Sequence, residues 1–143
     1  MEAGPLDRIA PFVGYHLARL EKRVKRGRMF TAKEIGVRKS RLIHATTFLA
    51  RRGKHTLRGI TTGDVRAWLV EIEARPPKPL TERRGGRTGP LSEGTRAKYL
   101  ATLNRLLRRA WREERIAENP IDRLDPDERP SPGPSDDPVS RDP

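Results

Sequence analysis

The chain has 143 residues, 34% hydrophobic and 35% charged, with a formal net charge of +12, enough for one domain with an economical core and a heavily ionised surface. It has no cysteine, which excludes disulfides, thiolate metal sites and a cysteine nucleophile. No apolar run approaches the ~20 residues of a membrane span, and the opening "MEAGPLDRIAPF" lacks the basic-then-apolar order of a signal peptide. The positive excess points to a polyanionic partner, nucleic acid ahead of an anionic membrane; the lack of cysteine fits a cytoplasmic protein, expected to be nucleoid-associated when bound to DNA.

The first helix is predicted over Leu6–Val24, where Leu6, Ile9, Val13, Leu17, Leu20 and Val24 recur at three- and four-residue spacing. Pro11 fits only if the helix proper begins close to it, because a proline ring and its missing N–H are tolerated in the first turn alone. The second helix opens on "TAKE", Thr31 to Glu34, a capping-box pattern, with Ser40 as a later alternative start. It continues through Ile35, Leu42, Ala45 and Leu49 to Gly53, a residue suited to the position just past a helix end. The third takes Thr61 or Thr62 as N-cap, buries Val65, Trp68, Leu69 and Ile72, and stops before Pro76 and Pro77. Residues 75–90 form a long loop with five basic side chains and one acidic. The fourth helix starts with Ser92 as N-cap, buries Leu100, Leu103, Leu107, Ala110 and Trp111, and closes at Asn119-Pro120. No strand and no repeat is predicted. The fold class is therefore all-α, a bundle of four to five helices over residues 1–124. Residues 125–143 hold six acidic and two basic residues among many Pro and Ser. Removing their −4 from the total of +12 leaves +16 on residues 1–124. That segment is expected to be a disordered, solubilising tail, in preference to a competitor for the basic face.

The charge on the fourth helix is one-signed. Between Glu93 and Glu113 lie six cations and no acid, whereas solvated helix faces usually mix signs to gain pairs four residues apart. On a wheel of about 100° per residue, Leu107, Leu100 and Ala110 cluster around Leu103. Lys98, Thr102, Arg105 and Arg109 form a stripe away from that cluster, with Arg108 and Arg112 beside it and Ala97 and Ala101 between. Long cations next to small residues suit a helix that approaches a DNA groove, with cations on phosphates and a few side chains at base edges. The second helix repeats the pattern: Ser40, His44, Thr47 and Arg51 lie opposite Leu42, Ala45 and Leu49, with Lys39 and Arg41 at the margins. Two such faces could straddle a duplex.

The segments "FLARRGKHTLRGITTGDVRAWL" and "LSEGTRAKYLATLNRLLRRAWREERIAENP" together resemble the core-binding domain of tyrosine recombinases, the phage-integrase family. The resemblance rests on Phe48 to Gly53 closing one helix, Leu57, Ile60, Thr61, Asp64 and Val65 leading into the next, Leu91, Ser92 and Thr95 capping the fourth, and Ala110, Glu114, Ile116, Asn119 and Pro120 after it. It covers roughly residues 6–124. It implies a SAM-like domain forming the N-terminal half of a clamp on recombination-site DNA. Carried over, the contacts would be Ser40, Arg41, His44 and Thr47 on the second helix and Ser92, Thr95, Lys98, Thr102 and Arg105 on the fourth, with Arg109 continuing the stripe. Double-stranded DNA would be the partner, alongside a catalytic recombinase domain or other integrase protomers, and no cofactor, metal or membrane is expected.

Two features depart from the family. The basic loop 75–90 is longer than usual, and its glycines make no GxxxxGK[ST] phosphate loop. The family's chemistry uses a tyrosine nucleophile and an Arg/His/Lys cluster on a separate C-terminal domain. Here Tyr15 and Tyr99 are the only tyrosines, and His16, His44 and His55 lack ligand spacing or matched carboxylates. No strand cleavage is expected from this chain alone. The rival readings are a subunit acting with a separately encoded catalytic partner, and a helical domain that docks an acidic protein through Trp68 and Leu69 or through Trp111.

Overall fold

A computed structural model describes residues 5–25, 31–74 and 92–131. They form an all-α bundle of four helices linked by 3-10 turns, and among the described residues the only β pairing is an isolated bridge between Arg8 and Thr56. The predicted loop 75–90 and residues 132–143 lie outside the described residues, as does the side chain of Val24.

Helix α1 runs Ile9–Lys25. Pro11 thus falls in its first turn, where its missing N–H deletes no helical bond. Ile9, Phe12, Val13 and Leu20 are buried, and the Ile9 amide donates to His55 O at 2.9 Å, which ties the start of α1 to the segment after the second helix.

Helix α2 runs Ala32–Arg51 with Thr31 as N-cap, whose hydroxyl accepts from the Glu34 amide at 3.1 Å. The later start at Ser40 is not used. Glu34 turns its carboxylate to Arg38 Nε at 3.2 Å. The buried face is Ile35, Arg38, Leu42, Ala45 and Leu49, a helical stripe in which one position is an arginine. Two reverse bonds end the helix, Gly53 N to Ala50 O and Lys54 N to Leu49 O, both 2.9 Å. Gly53 has φ +80°, a left-handed conformation that costs glycine little and other residues ~1 kcal/mol or more.

Helix α3, Thr62–Ala74, starts from a reciprocal cap. The Asp64 amide donates to Thr61 Oγ1 at 3.1 Å and the Thr61 amide to Asp64 Oδ2 at 2.9 Å, so Thr61 is the N-cap of the two candidates. Asp64 is buried and also holds Arg52 at 2.9 Å and Lys54 at 3.2 Å. One carboxylate thereby joins the end of α2 to the start of α3. Burial alone would raise its pKa, but the Thr61, Arg52 and Lys54 hydrogen bonds outweigh that and hold it below the usual carboxylate value.

Helix α4 spans Glu93–Arg112 and is shorter than predicted. Glu113 caps it, and Glu114, at φ 61°, reverses the chain through Glu114 N to Trp111 O at 3.0 Å and Arg115 N to Ala110 O at 2.9 Å. This is the same hydrogen-bond pattern that ends α2, built on a glutamate in place of a glycine. Asn119-Pro120 starts a separate 3-10 turn, Pro120–Arg123. Asn119 is buried there, donates to Asn104 Oδ1 at 2.7 Å and accepts from the Ile121 amide at 3.0 Å, while Thr62 donates to Pro120 O at 2.7 Å.

Helices α2 and α4 pack on each other; α1 lies against both, and α3 also packs on both. Their apolar faces share one core that includes Phe12, Leu42, Leu57, Trp68, Leu106, Leu107 and Ile121. Trp111, expected inside, is 51% exposed, because the core face of α4 is centred between Leu103 and Leu106 and leaves Trp111 at its edge. The acidic segment, expected to be disordered from residue 125, is ordered over its first described residues. Residues 126–128 form a turn, Glu128 pairs with Arg66 at 2.6 Å, and the Ser131 amide donates to Glu93 at 2.8 Å.

Candidate nucleic-acid interface

The α2–α4 seam brings together three guanidinium groups. Arg38, buried at 7% exposure, lies on the core stripe of α2. Arg41, one turn further and half-buried, donates to Thr102 Oγ1 at 3.2 Å and lies over the Tyr99 ring at 5.7 Å. Arg105, exposed on α4, is close enough to repel both. Desolvation first, then the Arg105 charge, lowers the pKa of Arg38, with Glu34 acting the other way. Desolvation and Arg105 likewise lower that of Arg41, against Tyr99 and Glu34. Among the described residues Glu34 is the carboxylate that acts on both. Lys98, two turns before Arg105, is exposed on the same face of α4. The arrangement holds positive charges near one another at a helix–helix groove.

The structure sorts the residues predicted from the sequence. Arg41 and Arg105 are brought together, and Lys98 continues their surface. Ser40 and Thr47 are exposed on the outer side of α2, roughly 140–160° around the helix from Leu42 at about 100° per residue. Ser92 and Thr95 are used by the helix itself, since the Ser92 hydroxyl accepts from the Thr95 amide at 3.1 Å and donates to Thr95 Oγ1 at 3.0 Å.

Three residues are corrected. Thr102 is 2% exposed and donates to Lys98 O at 2.9 Å; expected on the stripe away from the core, it is instead covered where α2 packs on α4, so it supports Arg41 from beneath. His44 is half-buried among aromatic rings. Its Nδ1 accepts from Trp68 Nε1 at 3.1 Å, and Tyr99 meets it edge-on at 6.1 Å. Burial lowers its pKa, Glu71 raises it and Arg51 lowers it further, so the ring is neutral and acts as an acceptor. Arg109 turns toward α1, donating to His16 Nδ1 at 3.0 Å and approaching Glu113 at 3.9 Å.

Arg38 was missed by the sequence reading. The signal was available: the apolar stripe Ile35–Leu42 has a seven-residue step, and a helix face needs an occupant between them, three or four residues along. Tyr99 and Tyr15 both serve packing. Tyr99 stacks into the His44–Trp68 cluster, with its pKa raised first by burial, and Tyr15 donates to Glu113 at 2.8 Å. Among the described residues no three His, Asp or Glu side chains converge as a metal site, and no helix is long and apolar enough to cross a membrane.

No protein-family model, curated protein or solved structure matches this chain.

Proposed function

We propose that this chain is a duplex-DNA-binding module, of the kind that the core-binding domains of tyrosine recombinases represent, and that it carries no strand-cleaving chemistry itself. What supports the reading is the guanidinium cluster of Arg38, Arg41 and Arg105 at the α2–α4 seam. Burial first, and then the neighbouring Arg105 charge, lower the pKa of Arg38 and of Arg41, and a bound polyanion relieves that repulsion. Lys98 extends the surface along α4. Binding is driven mainly by phosphate contacts, so the dissociation constant rises steeply with salt.

Fluorescence anisotropy with a labelled duplex at increasing salt tests this. Replacing Lys98 and Arg105 with glutamate is expected to weaken binding at least ~10-fold and to flatten the salt slope, because two phosphate contacts are lost. Thr102→Val is the control: a buried residue that supports Arg41 leaves affinity within about twofold, whereas a base-reading threonine would lose a larger factor. Affinity indifferent to salt, or to both charge reversals, would count against the proposal.

A further inference from the structure

We propose that the groove around Trp111 is a second site, which takes an unpaired nucleotide by stacking it on the indole. The groove lies between the end of α4, the 3-10 turn Leu57–Gly59, the start of α3 and the segment Ile116–Pro120. Trp111 is six residues beyond Arg105, which at about 100° per residue sets it ~120° around α4 from the seam. The site therefore uses a different surface and different residues from the duplex interface.

A single exposed tryptophan is ordinary; the cations around this one are not. Arg58, Arg66, Arg112 and Arg123 all line the groove. Two are already neutralised, Arg66 by Glu128 at 2.6 Å and Arg123 by Glu118 at 3.2 Å. The other two are not. Arg58 donates Nε to Arg115 O at 3.0 Å, a backbone acceptor that fixes the side chain without cancelling its charge. Arg112 has no hydrogen bond or ion pair among the described residues. Trp111 thus shares the groove lining with two guanidiniums that pair with no carboxylate among the described residues, one on the Leu57–Gly59 turn and one on α4, and Glu114 lines the same groove.

An exposed aromatic side chain lining one groove with cations from two different elements matches a base and its flanking phosphates. Bases in a duplex are stacked on each other and cannot present that face, so the ligand is an unpaired strand. An acidic peptide offers carboxylates but no planar π-surface repeated along its chain.

Trp111 also supplies the readout. The other tryptophan, Trp68, is 1% exposed, so quenching by a stacked base reports on Trp111. The full chain is titrated with a short oligothymidylate and, separately, with poly-glutamate and with duplex. The oligonucleotide is expected to quench fluorescence. Trp111→Ala should weaken its binding by ~10-fold or more, while Trp111→Phe, which keeps a ring, recovers part of the loss. Both variants should keep wild-type far-UV circular dichroism, since the side chain is outside the core, and bind duplex within about twofold of wild type. The Lys98→Glu/Arg105→Glu protein should show the reverse, losing duplex and keeping the quenching. Equal oligonucleotide affinity of wild type and Trp111→Ala would overturn the proposal. So would quenching by poly-glutamate alone, which would assign the groove to an acidic protein. Failure of the wild-type chain to bind duplex would overturn the α2–α4 reading alone, while loss of duplex binding in the Trp111 variants would overturn the separateness of the two sites.

Discussion

At the scale of single residues, backbone conformation and burial decide more than residue type. Gly53 and Glu114 occupy equivalent positions, each just past a helix end with positive φ, yet only one is a glycine. Glu114→Gly should raise stability by about 0.5–1 kcal/mol by removing the left-handed strain, and Gly53→Ala should lower it by ~1 kcal/mol; urea midpoints of the two variants check both. His44 makes the bundle pH-sensitive. Its folded pKa lies below its ordinary value, chiefly through burial, so the unfolded chain takes up the proton first. Stability is therefore full above the unfolded histidine pKa of ~6.5 and falls as pH drops through it. Protonation also removes the acceptor of Trp68 Nε1. His44→Gln should lose that component of the pH dependence, seen as a smaller fall in melting temperature between neutral and mildly acidic buffer.

At the scale of elements, the junctions are held by a few polar residues that the sequence already flagged as caps. Thr61 and Asp64 start α3 and Asp64 also clamps Arg52 and Lys54. Asp64→Ala should cost about 2–4 kcal/mol, since it removes a cap and leaves two cations without their buried partner. Asp64→Asn, which keeps a capping oxygen, should cost less. Thermal or urea unfolding distinguishes the two. Helix starts were legible because Thr31, Thr61 and Ser92 advertise local hydrogen bonds. The end of α4 was not: no glycine marks it, and the reversal at Glu114 is held by tertiary contacts after it, such as Arg115 with Asp7 at 3.1 Å and buried Ile116 and Asn119.

At the scale of the whole molecule, charge is divided between a basic body and an acidic end. Residues 125–143 carry −4 against +16 elsewhere, and their first part is fastened through Glu128 to Arg66 and Arg129 to Ile121 O at 2.9 Å. Those contacts are exposed or half-exposed, so a chain ending at Leu124 should melt at nearly the temperature of the full chain. It should bind duplex more tightly at low salt, as net charge rises by four, with the difference shrinking at high salt; anisotropy on the shortened and full chains measures it.

The sequence by itself determined the all-α class, the four helices, the N-caps Thr31 and Ser92 and most of the core. These follow from local hydrogen bonding and a 3.6-residue period, both properties of neighbours along the chain. The site was only partly readable for the same reason. A helix wheel finds the polar side of α2 and α4, and it put Arg41, Lys98 and Arg105 on that side. It cannot say which edge of that side another helix will cover. Packing of α2 on α4 buried Thr102, drew His44 into the aromatic cluster and placed Arg38 beside Arg105, while α1 claimed Arg109. Trp111 was left in the open by the same packing. Those outcomes depend on how helices approach one another, and only the tertiary structure decided them.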